Sequence, residues 1–282
     1  MSPAFLEAKS RTPLPGCPAL LGVPYDGTAS FRRGTGTAPH ELRQASENAI
    51  ESYSPRLQRD LADLAFADLG DLDLPPKSSP ETIFALVRDA TASLLAARAT
   101  PVLIGGEHSI SPGAIHATLA QFPDLHVLQL DAHADLRESY QGSTHSHACA
   151  MRRVLDALPS DRLLQAGIRS GTKEEYAELH QTNRLLPATA QALAERLPPH
   201  GTPLWLTFDV DILDPADCPG TGTPEAGGLT YRELEPVLDL LLPHHLVGLD
   251  LVELAPALDP NGPTLALGTK LLRELLLTLA PY

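Results

Sequence analysis

Short apolar runs that recur along the whole chain, several of them ending in glycine or in acidic residues and histidine, constrain the fold more than any other feature. ALLGVP (19–24), FADLGDL (66–72), TPVLIGG (100–106), LHVLQLDAH (125–133), LLQAGIR (163–169), PLWLTFDVD (203–211) and HLVGLDLVEL (245–254) have the length of strands. Between several of them lie stretches with apolar residues every three to four positions, at 80–97, 111–121, 188–197, 231–242 and 269–279, the period of a helix with one buried face. Strand and helix in alternation predict an α/β fold with a mainly parallel sheet and helices on both of its faces. Strands buried on both sides read as continuous apolar runs, and most of these do.

Composition narrows the class without naming an activity. Hydrophobic residues make up 43% of the 282 positions, too many for a disordered chain. A single α/β core of this size is common, so one domain over 1–282 is expected. Asp and Glu exceed Lys and Arg by 35 to 21, a formal charge of −14 that disfavours nucleic acid and suits a cationic small molecule or a metal. Cys17, Cys149 and Cys218 form no disulfide framework, which points to a reducing, cytoplasmic setting. The first residues lack the basic start and apolar run of a signal peptide, and no run approaches the roughly 20 apolar residues of a membrane span.

In open α/β sheets the carboxyl ends of the strands carry the ligand, so the residues closing the apolar runs come under scrutiny. Four clusters stand there: Gly105-Gly106-Glu107-His108-Ser109, Asp131-Ala132-His133-Ala134-Asp135, Asp209-Val210-Asp211 and Glu253. If the strands run through them, Asp131, His133 and Asp135 share one face, as do Asp209 and Asp211. With His108 this gives two imidazoles and four carboxylates, a donor set for Mn²⁺ or a similar octahedral ion rather than a thiolate zinc site. A lone D-x-D is more often a solvated turn, and His108 alone would read as an ordinary polar residue; their combination argues for metal. Six such ligands exceed the needs of one ion, whereas two ions roughly 3.5–4 Å apart can share carboxylates and hold a nucleophilic hydroxide. The glycine-rich stretches at 34–37 and 219–223 match neither phosphate-loop spacing and are expected to be closely packed loops near the site.

The segments GVPYDGTASFRRGTGTAPHELRQAS (22–46), IGGEHS (104–109), DAHADLR (131–137), SHACAMRR (146–153), TFDVDILDPADCPGTGTPEAGGLT (207–230) and DLVELAP (250–256) resemble, in order and spacing, the ureohydrolase family of arginases, agmatinases, guanidinobutyrases and formiminoglutamases. The resemblance implies a three-layer α/β/α, arginase-like fold with two Mn²⁺ ions per chain. It implies His108, Asp131, Asp135 and Asp209 for one ion, and Asp131, His133, Asp209 and Asp211 for the other. His147, in Ser146-His147-Ala148, matches the family's proton-shuttling histidine in preference to His145, and Glu253 matches the carboxylate that pairs with the guanidinium. Also implied are a homo-oligomer, a trimer or hexamer, and release of urea and an amine from a small cationic guanidine.

Within that family, Glu107 and the Ser-His-Ala-Cys run are more similar to agmatinases, implying conversion of agmatine to putrescine and urea. Arginases commonly have asparagine where this chain has Arg137, which can instead pair with a carboxylate substrate such as guanidinobutyrate, or serve structure by pairing with Glu138 or a neighbouring subunit. Thr207 replaces the family's usual serine and keeps the hydroxyl. Two alternatives stay open: a zinc-dependent polyamine or lysine deacetylase, in which Asp135 would be surplus, and a non-catalytic binding relative. The leucine-rich helix expected at 269–279 belongs to the core or to an interface.

Overall fold

The computed structural model describes residues 3–279. Strands β1 (Pro18–Gly22), β4 (Ala67–Asp71), β5 (Thr100–Ile104), β6 (His126–Leu130), β7 (Leu163–Ala166), β8 (Leu185–Leu186), β9 (Pro203–Asp209) and β10 (His245–Val252) form one sheet in the order β4-β1-β5-β10-β9-β6-β7-β8. All of its pairings are parallel. A two-stranded antiparallel ribbon, β2 (Tyr53–Ser54) with β3 (Arg59–Asp60), lies outside it. The helices are α1 (Ala38–Ser46), α2 (Pro80–Ala96), α3 (Ser111–Gln121), α4 (Ala150–Leu155), α5 (Lys173–Gln181), α6 (Ala190–Ala194), α7 (Tyr231–Leu241) and α8 (Pro263–Thr278). None of them is long and apolar enough to cross a membrane.

Helices cover both faces, giving three layers with two buried apolar cores. Leu128 and Leu130 of β6 and Leu204, Leu206 and Phe208 of β9 pack with Leu42 of α1, Leu234 and Leu238 of α7, and the leucines of α8. From the opposite face, Val127 and Trp205 pack with Ile83 and Val87 of α2, Ala114 and Ile115 of α3, and Met151 of α4. Strand side chains alternate between the two cores, except where β10 inserts Val247 between the partners of Leu204 and Trp205. That bulge reverses the parity of β10, so Asp250 points to the Trp205 face. Gly248 then lies under the Trp205 ring, where a Cβ would meet it at 2.2 Å.

Strand order positions the site. Because β10 and β9 lie between β5 and β6, the sequence of connections breaks there and leaves a crevice beyond four adjacent strand ends. His108 follows β5, Glu253 follows β10, Asp209 ends β9 and Asp131 follows β6.

Several boundaries differ from expectation. β6 stops at Leu130, so Asp131, His133 and Asp135 lie on a loop instead of one strand face. β9 stops at Asp209 and passes into a tight turn, Val210–Ile212. Carboxylates cap those turns: the Asp131 side chain accepts from His133 N–H at 2.6 Å, and that of Asp209 accepts from Asp211 N–H at 2.8 Å. The C-terminal helix starts at Pro263, whose fixed φ suits a first turn, and its Leu271, Leu272, Leu275, Leu276 and Leu277 are buried in the core. The sequence reading did not identify α1, α4, α5, β2, β3 and β8, all short or weakly periodic. α5 is instead marked by a capping box, in which Thr172 and Glu175 satisfy each other's backbone N–H.

Candidate active site

Two groups of possible metal ligands meet at the crevice, His108 with Asp131 and Asp209, and Asp131 with His133 and Asp211. Asp131 belongs to both. His108 Nδ1 is 3.0 Å from Asp131 Oδ2, 3.1 Å from Asp135 Oδ2 and 3.3 Å from Asp209 Oδ2. It is buried and makes no hydrogen bond of acceptable geometry. His133 Nδ1 lies 2.8 Å from Asp211 Oδ2 and 3.7 Å from Asp131 Oδ1. All six residues expected to bind metal are thus brought together. Asp209 falls only in the first group, its other carboxylate oxygen being engaged by Asp211 N–H.

The electrostatics call for cations. Asp131, Asp135, Asp209, Asp211 and Glu253 are all buried, and an uncompensated buried carboxylate costs on the order of several kcal/mol, so the array favours a bound cation when its members are ionised. Burial, with Asp211 and Asp135 nearby, pushes Asp131 up to about 7. Asp209 is likewise driven well above the carboxylate range by burial, Asp211 and Asp131. Burial works against charge on His133, yet Asp211 and Asp131 raise it to about 10. Carboxylate and imidazole donors converging on an otherwise orphaned His108 Nδ1 fit a divalent ion that takes mixed O and N ligands.

A polar row runs beneath this layer. Gln165 of β7 is in register with Gln129 of β6, Gln129 with Thr207 of β9, and Thr207 with Asp250 of β10. His108 Nε2–H donates to Thr207 Oγ1 at 2.8 Å, and Thr207 donates to Asp250 Oδ1 at 2.6 Å. Trp205 Nε1–H and Ser111 Oγ–H complete the Asp250 carboxylate at 2.7 and 2.9 Å. This chain fixes the tautomer that leaves the His108 Nδ1 lone pair facing the carboxylates. Gln129 Nε2–H donates to Asp131 Oδ2 at 2.6 Å, and Gln165 Nε2–H holds Gln129 Oε1 at 2.6 Å. The sequence reading overlooked Gln129, Gln165 and Asp250; the usable signal is a polar residue interrupting an apolar run. Arg169, also overlooked, clamps the loop that carries Asp211, donating to the carbonyls of Asp211 at 2.6 Å and Glu225 at 2.7 Å.

His147 and Glu253 line the same cavity of about 240 Å³ as His108, His133, Asp135 and Asp209. Asp135 and Glu253 both have left-handed backbone, φ 53° and 65°, a conformation unusual outside glycine that turns the backbone sharply, in the loop after β6 and directly after β10. Glu253 Oε1 accepts from His108 N–H at 2.8 Å, and Gly222 lies beside it, where a Cβ would make ordinary contact with Glu253 Oε2 at 3.4 Å. The 219–223 loop is therefore packed against the site, held by Arg32 through the carbonyls of Thr221 at 2.5 Å and Pro219 at 3.3 Å. Burial lowers the pKa of His147, so its imidazole is neutral at neutral pH. His145 packs edge-on against Phe84 with ring centroids 5.4 Å apart and does not line the cavity. Arg137 does line it, with its guanidinium 4.7 Å above the Tyr140 ring, while Glu138 pairs with Arg152 and Arg153.

A buried array of this kind can hold cations beside a cavity that presents the Glu253 carboxyl group and one neutral imidazole, the parts needed to bind a cationic substrate and move a proton. Residues 18–278 match the sequence profile of the arginase family. An agmatinase from Bacillus cereus is 37% identical over 280 residues, covering 98% of this chain and 93% of its own. An agmatinase from Bacillus subtilis is 38% identical over 268 residues, 92% of this chain and 90% of its own. The crystal structure of agmatine ureohydrolase of Thermoplasma volcanium superposes with a TM-score of 0.80 at 32% identity, covering 96% of this chain and 90% of that one. Fold, crevice and sequence together make this chain a member of the arginase family.

Proposed function

We propose that the protein hydrolyses agmatine to putrescine and urea, using two Mn²⁺ ions held by His108, Asp131, Asp135 and Asp209 and by Asp131, His133, Asp209 and Asp211. The observation that carries this reading is the pair of carboxylate and imidazole groups sharing Asp131, with Glu253 and His147 on the wall of the same cavity. Bound metal supplies a water acidic enough to attack at neutral pH and a field that stabilises negative charge developing at the attacked centre. Glu253 pairs with the guanidinium and orients its central carbon toward the carboxylate array. Water adds across one C–N bond, so a C–O bond forms as the C–N bond breaks, and the departing nitrogen needs a proton. His147 delivers it; a neutral, partly desolvated imidazole can take a proton and pass it on within one turnover. The three cysteines are unpaired, which supports a reducing, cytoplasmic setting. A trimer or hexamer is proposed from the family resemblance.

A second substrate is favoured by one observation, the Arg137 guanidinium on the cavity wall. It would attract the carboxylate of guanidinobutyrate and repel the distal ammonium of agmatine. The test is urea release from agmatine, arginine and guanidinobutyrate, and formamide release from formiminoglutamate, in Mn²⁺-loaded enzyme. Agmatine is expected to give the highest kcat/KM. Turnover of none of the four would sink the ureohydrolase reading, and preference for guanidinobutyrate would transfer it to the second substrate.

A further inference from the structure

The segment following β1 brings Thr28 over His147, and its hydrogen bonds constrain the direction of the protons between them. Val23 N–H donates to Ile104 O at 2.9 Å and Glu107 N–H to Tyr25 O at 2.8 Å, so the segments after β1 and β5 run side by side. They approach so closely that a Cβ on Gly106 would lie 1.9 Å from Tyr25 O, which only glycine allows. This contact brings Thr28 to Glu107. Thr28 N–H donates to Glu107 Oε2 at 2.8 Å, and the Thr28 hydroxyl donates to Glu107 Oε1. Ser109 Oγ–H donates to the same Oε1 at 2.6 Å. Three donors thus converge on a fully buried carboxylate.

A hydroxyl has one proton and two lone pairs. While Glu107 is ionised, the Thr28 proton is committed to it, and Thr28 Oγ1 then accepts from His147. The His147 backbone N–H takes one lone pair at 3.0 Å, and the ring Nδ1 lies 3.3 Å from the same oxygen. Ser146 Oγ is 3.4 Å from Nδ1. An Nδ1–H tautomer fits these partners, leaving the Nε2 lone pair 3.2 Å from Ser30 Oγ, where both residues line the cavity. Tyr140 meets the ring edge-on at 6.1 Å between centroids and limits its rotation.

The geometry points to Glu107 and Thr28 as positioning residues for the proton transfer at His147: they lock the ring proton on Nδ1 and present Nε2 to the substrate. This rests on the reading of His147 as the proton carrier and goes beyond it by naming what sets its tautomer and orientation. Neither residue needs to touch substrate to do so.

The test combines kinetics with ring ¹⁵N NMR. His147 is observed in metal-stripped, ¹⁵N-histidine-labelled protein at pH 8.5, its signals assigned by their loss in His147→Asn. The Nδ1–H tautomer is expected to predominate in the unaltered chain and to lose that predominance in Thr28→Val. In Mn²⁺-loaded enzyme, Thr28→Val is expected to lower kcat by about tenfold or more with KM changed less than about twofold, while Thr28→Ser keeps most of the rate. A predominant Nε2–H tautomer overturns the proposal. So does a kcat in Thr28→Val within about twofold of the unaltered enzyme, or a loss in Thr28→Ser as large as in Thr28→Val, which would mean loop packing alone. If the unaltered enzyme turns over no guanidine, the functional reading falls while the tautomer measurement still decides this one.

Discussion

His108 shows how a residue's role depends on partners it does not have in sequence. Its Nδ1 faces three carboxylates because Nε2–H is held by Thr207, which is in turn held by Asp250. Removing the Thr207 hydroxyl while keeping its shape leaves Nε2–H buried without an acceptor and frees the ring to take the other tautomer. Thr207→Val is therefore expected to weaken Mn²⁺ binding by about 10- to 100-fold, the usual effect of deleting a group that orients a ligand. Competition with a chromophoric chelator measures it, and an unchanged affinity would show that His108 is oriented by packing alone. Thr207 was legible as a departure from a motif. Asp250 was not, because its partners come from two segments distant in sequence: Ser111 and, through Thr207, His108 after β5, and Trp205 and Thr207 of β9.

At the scale of elements, charged groups do what apolar periodicity cannot. The short ribbon of β2 and β3 has little apolar surface of its own and is tied to α8 through Glu274, which accepts from Ser54 at 2.9 Å, Arg56 Nη2 at 2.8 Å and Arg273 Nη2 at 2.6 Å. Burial alone would push Glu274 up; Ser54, Arg273 and Arg56 outweigh it and hold the carboxyl below the usual range. A folded-state value below the unfolded one contributes stability that is fully present above the ordinary glutamate pKa and is lost as pH falls through the folded value. Glu274→Gln should therefore destabilise the protein at neutral pH, and the difference from the unaltered chain should shrink below about pH 4.5, the ordinary glutamate range. Urea denaturation across pH reads this out, and a difference independent of pH would assign the loss to packing. Neither Ser54, Arg56 nor the ribbon was expected from sequence, since two-residue strands carry no period to detect.

For the whole molecule, the same buried acids that equip the crevice oppose its folding. Asp131, Asp135, Asp209, Asp211 and Glu253 meet beyond the ends of three neighbouring strands, β6, β9 and β10, and metal bound there stabilises only the assembled sheet. Stripping metal with a chelator is expected to lower Tm, and Mn²⁺ at about 100 times its Kd should restore about 2.7 kcal/mol of stability. A calorimetric Tm that does not respond to Mn²⁺ would contradict metal binding at this array.

The sequence by itself determined the α/β layering, the seven long strands and the residues that meet in the crevice. Apolar runs and helical periods are local consequences of which faces are buried, and an acid or histidine at the end of a buried run has few other reasons to be there. Tertiary structure decided the rest. Asp131, His133 and Asp135 converge through a loop that turns at left-handed Asp135, not along a strand, and only the order β5-β10-β9-β6 brings His108 and Glu253 against them. The polar row from Gln165 to Asp250 exists only in the register of four strands, and the contact between Glu107, Thr28 and His147 joins positions up to 119 residues apart. Hydrogen bonds of such long range leave no periodic trace in a sequence, because each partner is chosen by the fold that brings it near.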